Sequence, residues 1–146
     1  KKKTIKKSPK SSAIEAKELV QVKSSISNVR PRNPDYGEEA KQNANHQCEI
    51  SHLHETFARN KDDKNFTEAH HLIPYEQYDV FADKGLSLDR GCNIVSLCPN
   101  CHRSIHHGKK EDIGHLLEQL YKVRGQSLMK TYDCDINQLK SFYKAI

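Results

Sequence analysis

Two short segments of this 146-residue chain carry most of its chemistry. The first is Ala69-His70-His71-Leu72-Ile73-Pro74, and the second runs from Asn93 through Cys98-Pro99-Asn100-Cys101-His102-Arg103 to His106. Between them they hold four imidazoles and two thiols at spacings suited to metal chelation. His102 and His106 are four apart, so on a helix they stack on one face and can grip a single cation. His70 and His71 are neighbours, and on a strand neighbouring side chains point to opposite faces, so the two cannot serve one atom in the same way. One of them can complete a three-nitrogen cation site with the helix histidines, which leaves the other beside the metal as a general base.

Cys98 and Cys101 have the spacing that brings two thiolates onto one tetrahedral Zn²⁺ from a turn entering a helix. A complete site needs two more ligands, and the stretch from His46 to His54 is the other one rich in suitable atoms. Cys48 is the third ligand. Ser51 stands where a four-cysteine site would place a thiol, and serine is a poor zinc ligand, so the fourth is a histidine: His54 first, with His52 and His46 as alternatives. Cys92 and Cys134 have no partner at ligand spacing and read as small packing residues. An odd total of five cysteines, two of them in Cys-x-x-Cys among histidines, favours metal binding over a disulfide framework and an intracellular setting.

Other chemistries share parts of this pattern and fail on a required residue. A zinc peptidase helix needs Glu directly after its first histidine, but Arg103 follows His102. A nucleobase deaminase needs His-x-Glu and Pro-Cys-x-x-Cys, whereas this chain has Ala69-His70-His71 and Cys98-Pro99-Asn100-Cys101. A zinc-stabilised binding module without catalysis explains the cysteines but leaves four converging histidines idle.

The elements that must position these groups are a strand, a loop, a strand and a helix. Glu68 to Ile73 is strand-like until Pro74 stops it, and Asn93 to Leu97 is a second apolar, β-branched strand that can pair with the first as a hairpin. The long connection holds Tyr75, Tyr78, Val80, Phe81, Leu86 and Leu88, enough apolar surface to fold down as a compact loop. Pro99 suits the first turn of a helix to about His107, with Gly108 as its stop. Ile113, Leu116, Leu117, Leu120 and Tyr121 recur at helical spacing, as do Ile136, Leu139, Phe142, Tyr143 and Ile146 behind a cap at Asp135, which predicts two packing helices. Toward the start, Asp35 with Glu38 predicts a short capped helix that delivers the chain to Cys48. Arg30-Pro31-Arg32-Asn33-Pro34 marks a boundary, because each proline restricts its predecessor. Ser12 with Glu15 offers a capping box for a helix through about Lys23, behind a tail of disordered composition.

With 35% hydrophobic residues and no Trp, the apolar core is thin, and a metal cross-link would help it. Lys1, Lys2, Lys3, Lys6, Lys7 and Lys10 more than account for the net charge of +5, so overall charge does not argue for DNA binding by the folded part; that case rests on local groups and this arm. No apolar run approaches a membrane span, and the Lys-rich start lacks the apolar stretch of a signal peptide. A first residue of Lys, with Met129 the only methionine, is expected of a piece of a longer protein.

Taken together, Ala69-His70-His71-Leu72-Ile73-Pro74, Asn93-Ile94-Val95, Cys98-Pro99-Asn100-Cys101-His102-Arg103 and Ile105-His106-His107-Gly108 resemble the HNH endonucleases, most of all restriction-type members of bacterial host defence, including those that cut modified DNA. The resemblance extends to Cys48 and His54-Glu55-Thr56-Phe57, which in similar sequences supply zinc ligands. It implies an α+β, ββα-metal core with a structural zinc site and flanking helices, divided as 1–33 basic arm, 34–110 nuclease core and 111–146 helical extension. It implies His71 as the base that activates water, His70 with His102 and His106 as ligands of a divalent cation (Mg, Mn, Co or Ni), and Asn93 as the brace of the loop that orients the base. Cys48, His54, Cys98 and Cys101 are the expected structural zinc ligands, and Arg103 is the expected phosphate contact. The expected partner is DNA, with RNA cleavage or a non-catalytic DNA-binding module as rivals. A homodimer on DNA, an upstream recognition domain and a bacterial cytoplasmic setting complete the expectation.

Overall fold

The computed structural model describes residues 32–146. The basic tail, the helix expected from Ser12 to about Lys23, and Arg30 and Pro31 of the proline boundary lie outside the described residues. In chain order the elements are α1 (Pro34–Asn43), β1 (Glu68–His71), a 3-10 turn (Tyr75–Gln77), α2 (Tyr78–Ala82), a 3-10 turn (Gly91–Asn93), β2 (Ile94–Leu97), α3 (Pro99–His107), α4 (Lys110–Tyr132) and α5 (Ile136–Phe142). The architecture is α+β, a small two-stranded antiparallel sheet among helices.

Pro34 occupies the first helical position of α1, where its missing N–H is no loss, and Asn33 caps the helix, its side chain accepting from the Asp35 amide at 3.0 Å. The expected cap, Asp35, instead lies in the first turn, where its charge complements the helix dipole. α1 packs across both strands. It sits close to β1 because position 37 is glycine: a Cβ there would stand 3.1 Å from that of Ala69.

The strands pair with Glu68 opposite Leu97, Ala69 opposite Ser96, His70 opposite Val95 and His71 opposite Ile94. β1 ends two residues earlier than its composition predicts, and Asn93 is the reason. Its carbonyl still accepts from the Leu72 amide in register at 2.7 Å, but its own amide turns to the Arg90 carbonyl at 2.9 Å and its side chain takes the Ile73 amide at 2.7 Å, so the ladder goes no further. Asn93 itself closes the preceding turn, and β2 starts at Ile94.

The connection folds down as expected, with Phe81 and Leu88 fully buried. Phe81 stands edge-on to Tyr132 at 5.6 Å and to Phe142 at 6.2 Å, wedging the loop against α4 and the end of α5. Val80 contributes nothing to this contact and is 51% exposed. α3 begins at Pro99 and stops at Gly108, where a Cβ would fall 2.6 Å from the Ser104 carbonyl oxygen.

α4 runs a further three turns past Tyr121, the last residue of its expected apolar pattern, because tertiary contacts continue its buried face through Arg124, Gly125, Leu128 and Tyr132. Arg124 Nε and Nη2 donate to Glu49 Oε1 at 3.1 and 2.8 Å, while Nη1 donates to the Gly91 carbonyl at 3.1 Å. Glu49 in turn accepts from the Ser96 amide at 2.6 Å, so one carboxylate ties α4, β2 and the segment that carries Cys48. α5 starts behind Asp135, as its pattern predicts, with Asp135 Oδ1 accepting from the Gln138 amide at 2.7 Å. Leu72, Ile73, Val95, Leu97, Ile105, Leu117, Leu120, Leu128 and Leu139 meet in one core, each fully buried side chain contributing about 1.5–3 kcal/mol. Among the described residues, no helix is long and apolar enough to cross a membrane.

Candidate metal centres and active-site cleft

Alternation along β1 parts the two adjacent histidines. His70 is 5% exposed and turns toward α3, while His71 lies on the other face with a side chain 17% exposed. On α3, His102 and His106 sit one turn apart with their Nε2 atoms separated by 3.2 Å. The His70 ring centroid is 5.0 Å from that of His102 and 4.8 Å from that of His106. One ring nitrogen from each of these three residues lies within 4.8 Å of the other two. Burial and the neighbouring His102, His106 and His71 hold the His70 pKa well below the usual imidazole value; burial, then His102 and His107, lower that of His106. Neutral imidazoles with converging lone pairs can hold a divalent cation, and nitrogen donors suit Mn²⁺, Co²⁺, Ni²⁺ or Zn²⁺ better than Mg²⁺.

Three of the four histidines have a further partner. His71 Nε2 lies 3.0 Å from Asp89 Oδ1, and the same buried carboxylate accepts from the Asn33 amide at the start of α1. His102 Nδ1 lies 3.3 Å from Glu68 Oε1, and His70 Nε2 lies 2.7 Å from the Tyr143 hydroxyl. None of these partners was singled out in the sequence. Glu68 was legible in principle, since it lies two residues before His70 and so shares its face of β1. Tyr143 read only as a packing residue of the last helix, and Asp89 belongs to no motif. Asn93 is fully buried; besides accepting from Ile73, its amide donates to the Ile73 carbonyl at 3.2 Å and the Leu88 carbonyl at 3.0 Å. One side chain thus clips together both ends of the loop between the strands.

His70, His71, His102 and His106 face an open cleft of about 560 Å³ whose opposite wall is α1, through Gly37, Glu38 and Lys41. Burial opposes ionisation of Glu38, but Lys41 at 2.7 Å and Lys61 at 3.2 Å outweigh it and bring its pKa down to about 2. At the lip, the Arg32 guanidinium lies 4.3 Å over the Tyr75 ring, which stands 4.8 Å from the ring of His71. Arg103 is exposed on α3 and does not line the cleft.

The second cluster lies at the other end of α3. Ligand atoms of Cys48, His54, Cys98 and Cys101 all fall within 4.8 Å of one another. His54 Nδ1 is 3.4 Å from Cys101 Sγ and 3.8 Å from Cys98 Sγ. Ser51 shapes the turn that presents His54: its carbonyl accepts from the His54 amide at 3.1 Å and its hydroxyl from the Leu53 amide at 3.2 Å. His52 and His46 are not part of this cluster; His46 is buried apart from it, with Nδ1 unpartnered. Burial pushes the Cys48 thiol up, but the amides of Cys98, Ser51 and Ile50 and the His54 ring outweigh it and bring it down to about 7. Burial, then Cys48 and Cys98, push Cys101 up. Three crowded thiols and one imidazole form a donor set that could hold tetrahedral zinc. Cys92 and Cys134 lie buried away from both clusters, and burial followed by Asp135 and Asp133 pushes the Cys134 thiol up to about 12.

The HNH endonuclease family model matches residues 41–108, the segment that holds both strands, α3 and the four cleft histidines. The match, just under half of the chain, supports a nuclease role at the level of that family. A similar protein is the Type IV methyl-directed restriction enzyme EcoKMcrA of Escherichia coli (strain K12), 37% identical over 60 residues. The similarity spans 41% of this chain and 18% of that enzyme.

Proposed function

We propose that this chain is the cleavage unit of a restriction-type endonuclease that hydrolyses DNA phosphodiester bonds with a divalent cation. The observation that carries the reading is one cleft holding a three-imidazole cluster and, outside that cluster, a fourth imidazole on the opposite face of the same strand. His70, His102 and His106 would hold the cation, which when bound supplies positive charge against the phosphate oxygens and the departing 3′ oxygen. His71 takes a proton from water. Asp89 accepts from its Nε2–H, which keeps the Nδ1 lone pair for that proton. The water oxygen bonds to phosphorus as the bond to the 3′ oxygen breaks, and the departing 3′ oxygen takes a proton from solvent water in the open cleft, so the products carry 5′-phosphate and 3′-hydroxyl ends. Asn93 keeps the loop closed and thereby fixes Asp89 relative to His71. Arg103, off the cleft, would meet a phosphate farther along the strand.

Cys48, His54, Cys98 and Cys101 would hold a structural zinc that anchors the start of α3. The domain division follows the same logic: a basic arm over 1–33, the nuclease core over 34–110 and a helical extension over 111–146. The methyl-directed restriction activity of the similar enzyme supports methylated DNA as the substrate class, read by parts of the protein beyond this core. A single cleft cuts one strand, so double-strand cleavage calls for two copies on DNA. The setting would be the bacterial cytoplasm. His71→Ala should lower nicking of a supercoiled plasmid by at least about a hundredfold while zinc and Mn²⁺ binding are retained. Undiminished nicking would overturn the assignment of the base, and faster cleavage of a matched RNA would reassign the substrate.

A further inference from the structure

We infer that Tyr143 is a positioning residue for the cation site: its hydroxyl sets the tautomer of His70 and hence which ring nitrogen is offered to His102 and His106. The inference rests on the cation site proposed above. The Tyr143 oxygen lies 2.6 Å from the Leu72 carbonyl oxygen and 2.7 Å from His70 Nε2. A carbonyl can only accept, so the phenol proton points to Leu72. The hydroxyl oxygen then presents a lone pair to His70, and the nitrogen facing it must carry a hydrogen. A neutral imidazole has one N–H, which places the free lone pair of His70 on Nδ1. A ligating nitrogen must be unprotonated, so Nδ1 is the metal-binding atom of His70.

Burial makes the hydroxyl hard to replace. His70 is 5% exposed, so water has little access to stand in for the phenol. Tyr143 follows directly on α5, and the neighbouring Phe142 packs on the Phe81 ring, which anchors this end of the chain to the loop between the strands. The residue also lies outside the matched segment 41–108. The cation site of the nuclease core is thus completed from the C-terminal helices.

The test uses the full chain, dialysed against a weak chelator so that zinc is kept and the histidine cluster is empty. Long-range ¹H–¹⁵N correlation of ring-labelled histidine should show His70 with Nε2 protonated, and Tyr143→Phe should lose that single tautomer. Mn²⁺ affinity, measured by calorimetry, should fall about tenfold in Tyr143→Phe, the cost expected for removing a partner of a metal-ligating histidine. A wild-type His70 protonated on Nδ1, read without any variant, would overturn the inference. So would a Tyr143→Phe protein with unchanged tautomer and unchanged Mn²⁺ affinity. Failure of the wild type to bind Mn²⁺ would overturn the cation site itself, while the tautomer still judges the role of Tyr143.

Discussion

Helix α3 starts in one ligand cluster and ends in another. At its first turn Cys98 and Cys101 meet Cys48 and His54, four donors of which the three thiols are buried. A turn later His102 and His106 meet His70, three donors beside an open cleft. Four protein ligands fill a tetrahedral ion and leave nothing to react, whereas three leave room for water or substrate. The difference teaches how a small domain with a thin core can hold a reactive site rigidly. With zinc bound, the closed cluster would fix the helix that the open cluster depends on, and the Arg124–Glu49 pair ties the Cys48 segment to α4 behind it.

The largest effect should come from breaking the closed cluster and the open one separately. Cys98→Ser should abolish zinc binding, whose free energy in small zinc domains is about 10–16 kcal/mol, and with it a cooperative melting transition. His106→Ala should keep zinc and melt within a few degrees of the wild type, on the order of 1 kcal/mol, yet lose metal-dependent cleavage. Equal destabilisation by the two variants, seen in thermal melts, would erase the distinction.

Next in size is Asn93→Ala. It strands the Ile73 amide and the Ile73 and Leu88 carbonyls in a dry interior, and should cost about 3 kcal/mol in denaturant melts. Nicking should fall further than the loss of folded protein explains, because the loop carrying Asp89 is released. Glu68→Gln should do less: Mn²⁺ affinity down about tenfold, with zinc content and melting unchanged. Its partly exposed carboxylate pairs with His102, so a change in zinc content would show that the two clusters are not separate. Thiol labelling gives the finest distinction. Zinc removal should expose Cys48, Cys98 and Cys101 to reagent while Cys92 and Cys134 stay silent in their packed sites.

The parts of this arrangement that were legible in the sequence are the local ones. Alternation separated His70 from His71, the four-residue step aligned His102 with His106, and Pro99 inside the Cys98–Cys101 motif located the start of α3. That a histidine joins the thiols followed from serine being a poor zinc ligand at Ser51, but the sequence left His52 and His46 open beside His54, and it is the fold that brings His54 to the thiols. The contacts that tune these groups come from far away in the chain. Tyr143 is 73 residues from His70, and Asp89 reaches His71 only because the intervening loop folds back under Asn93. Periodicity shows which face a residue occupies and says nothing about which distant segment covers that face. The same limit hid the last three turns of α4, whose buried Arg124 is apolar in no scale and finds its place only through Glu49.

The most direct test of the two-site reading is a paired measurement on one sample dialysed against a weak chelator. Zinc is counted, and nicking of a supercoiled plasmid is followed before and after Mn²⁺ is added. The expected result is about one zinc per folded chain, no nicking without Mn²⁺ and nicking restored by it. A folded, zinc-loaded protein that binds DNA but cuts with no divalent cation would contradict the reading and leave a zinc-stabilised binding module in its place.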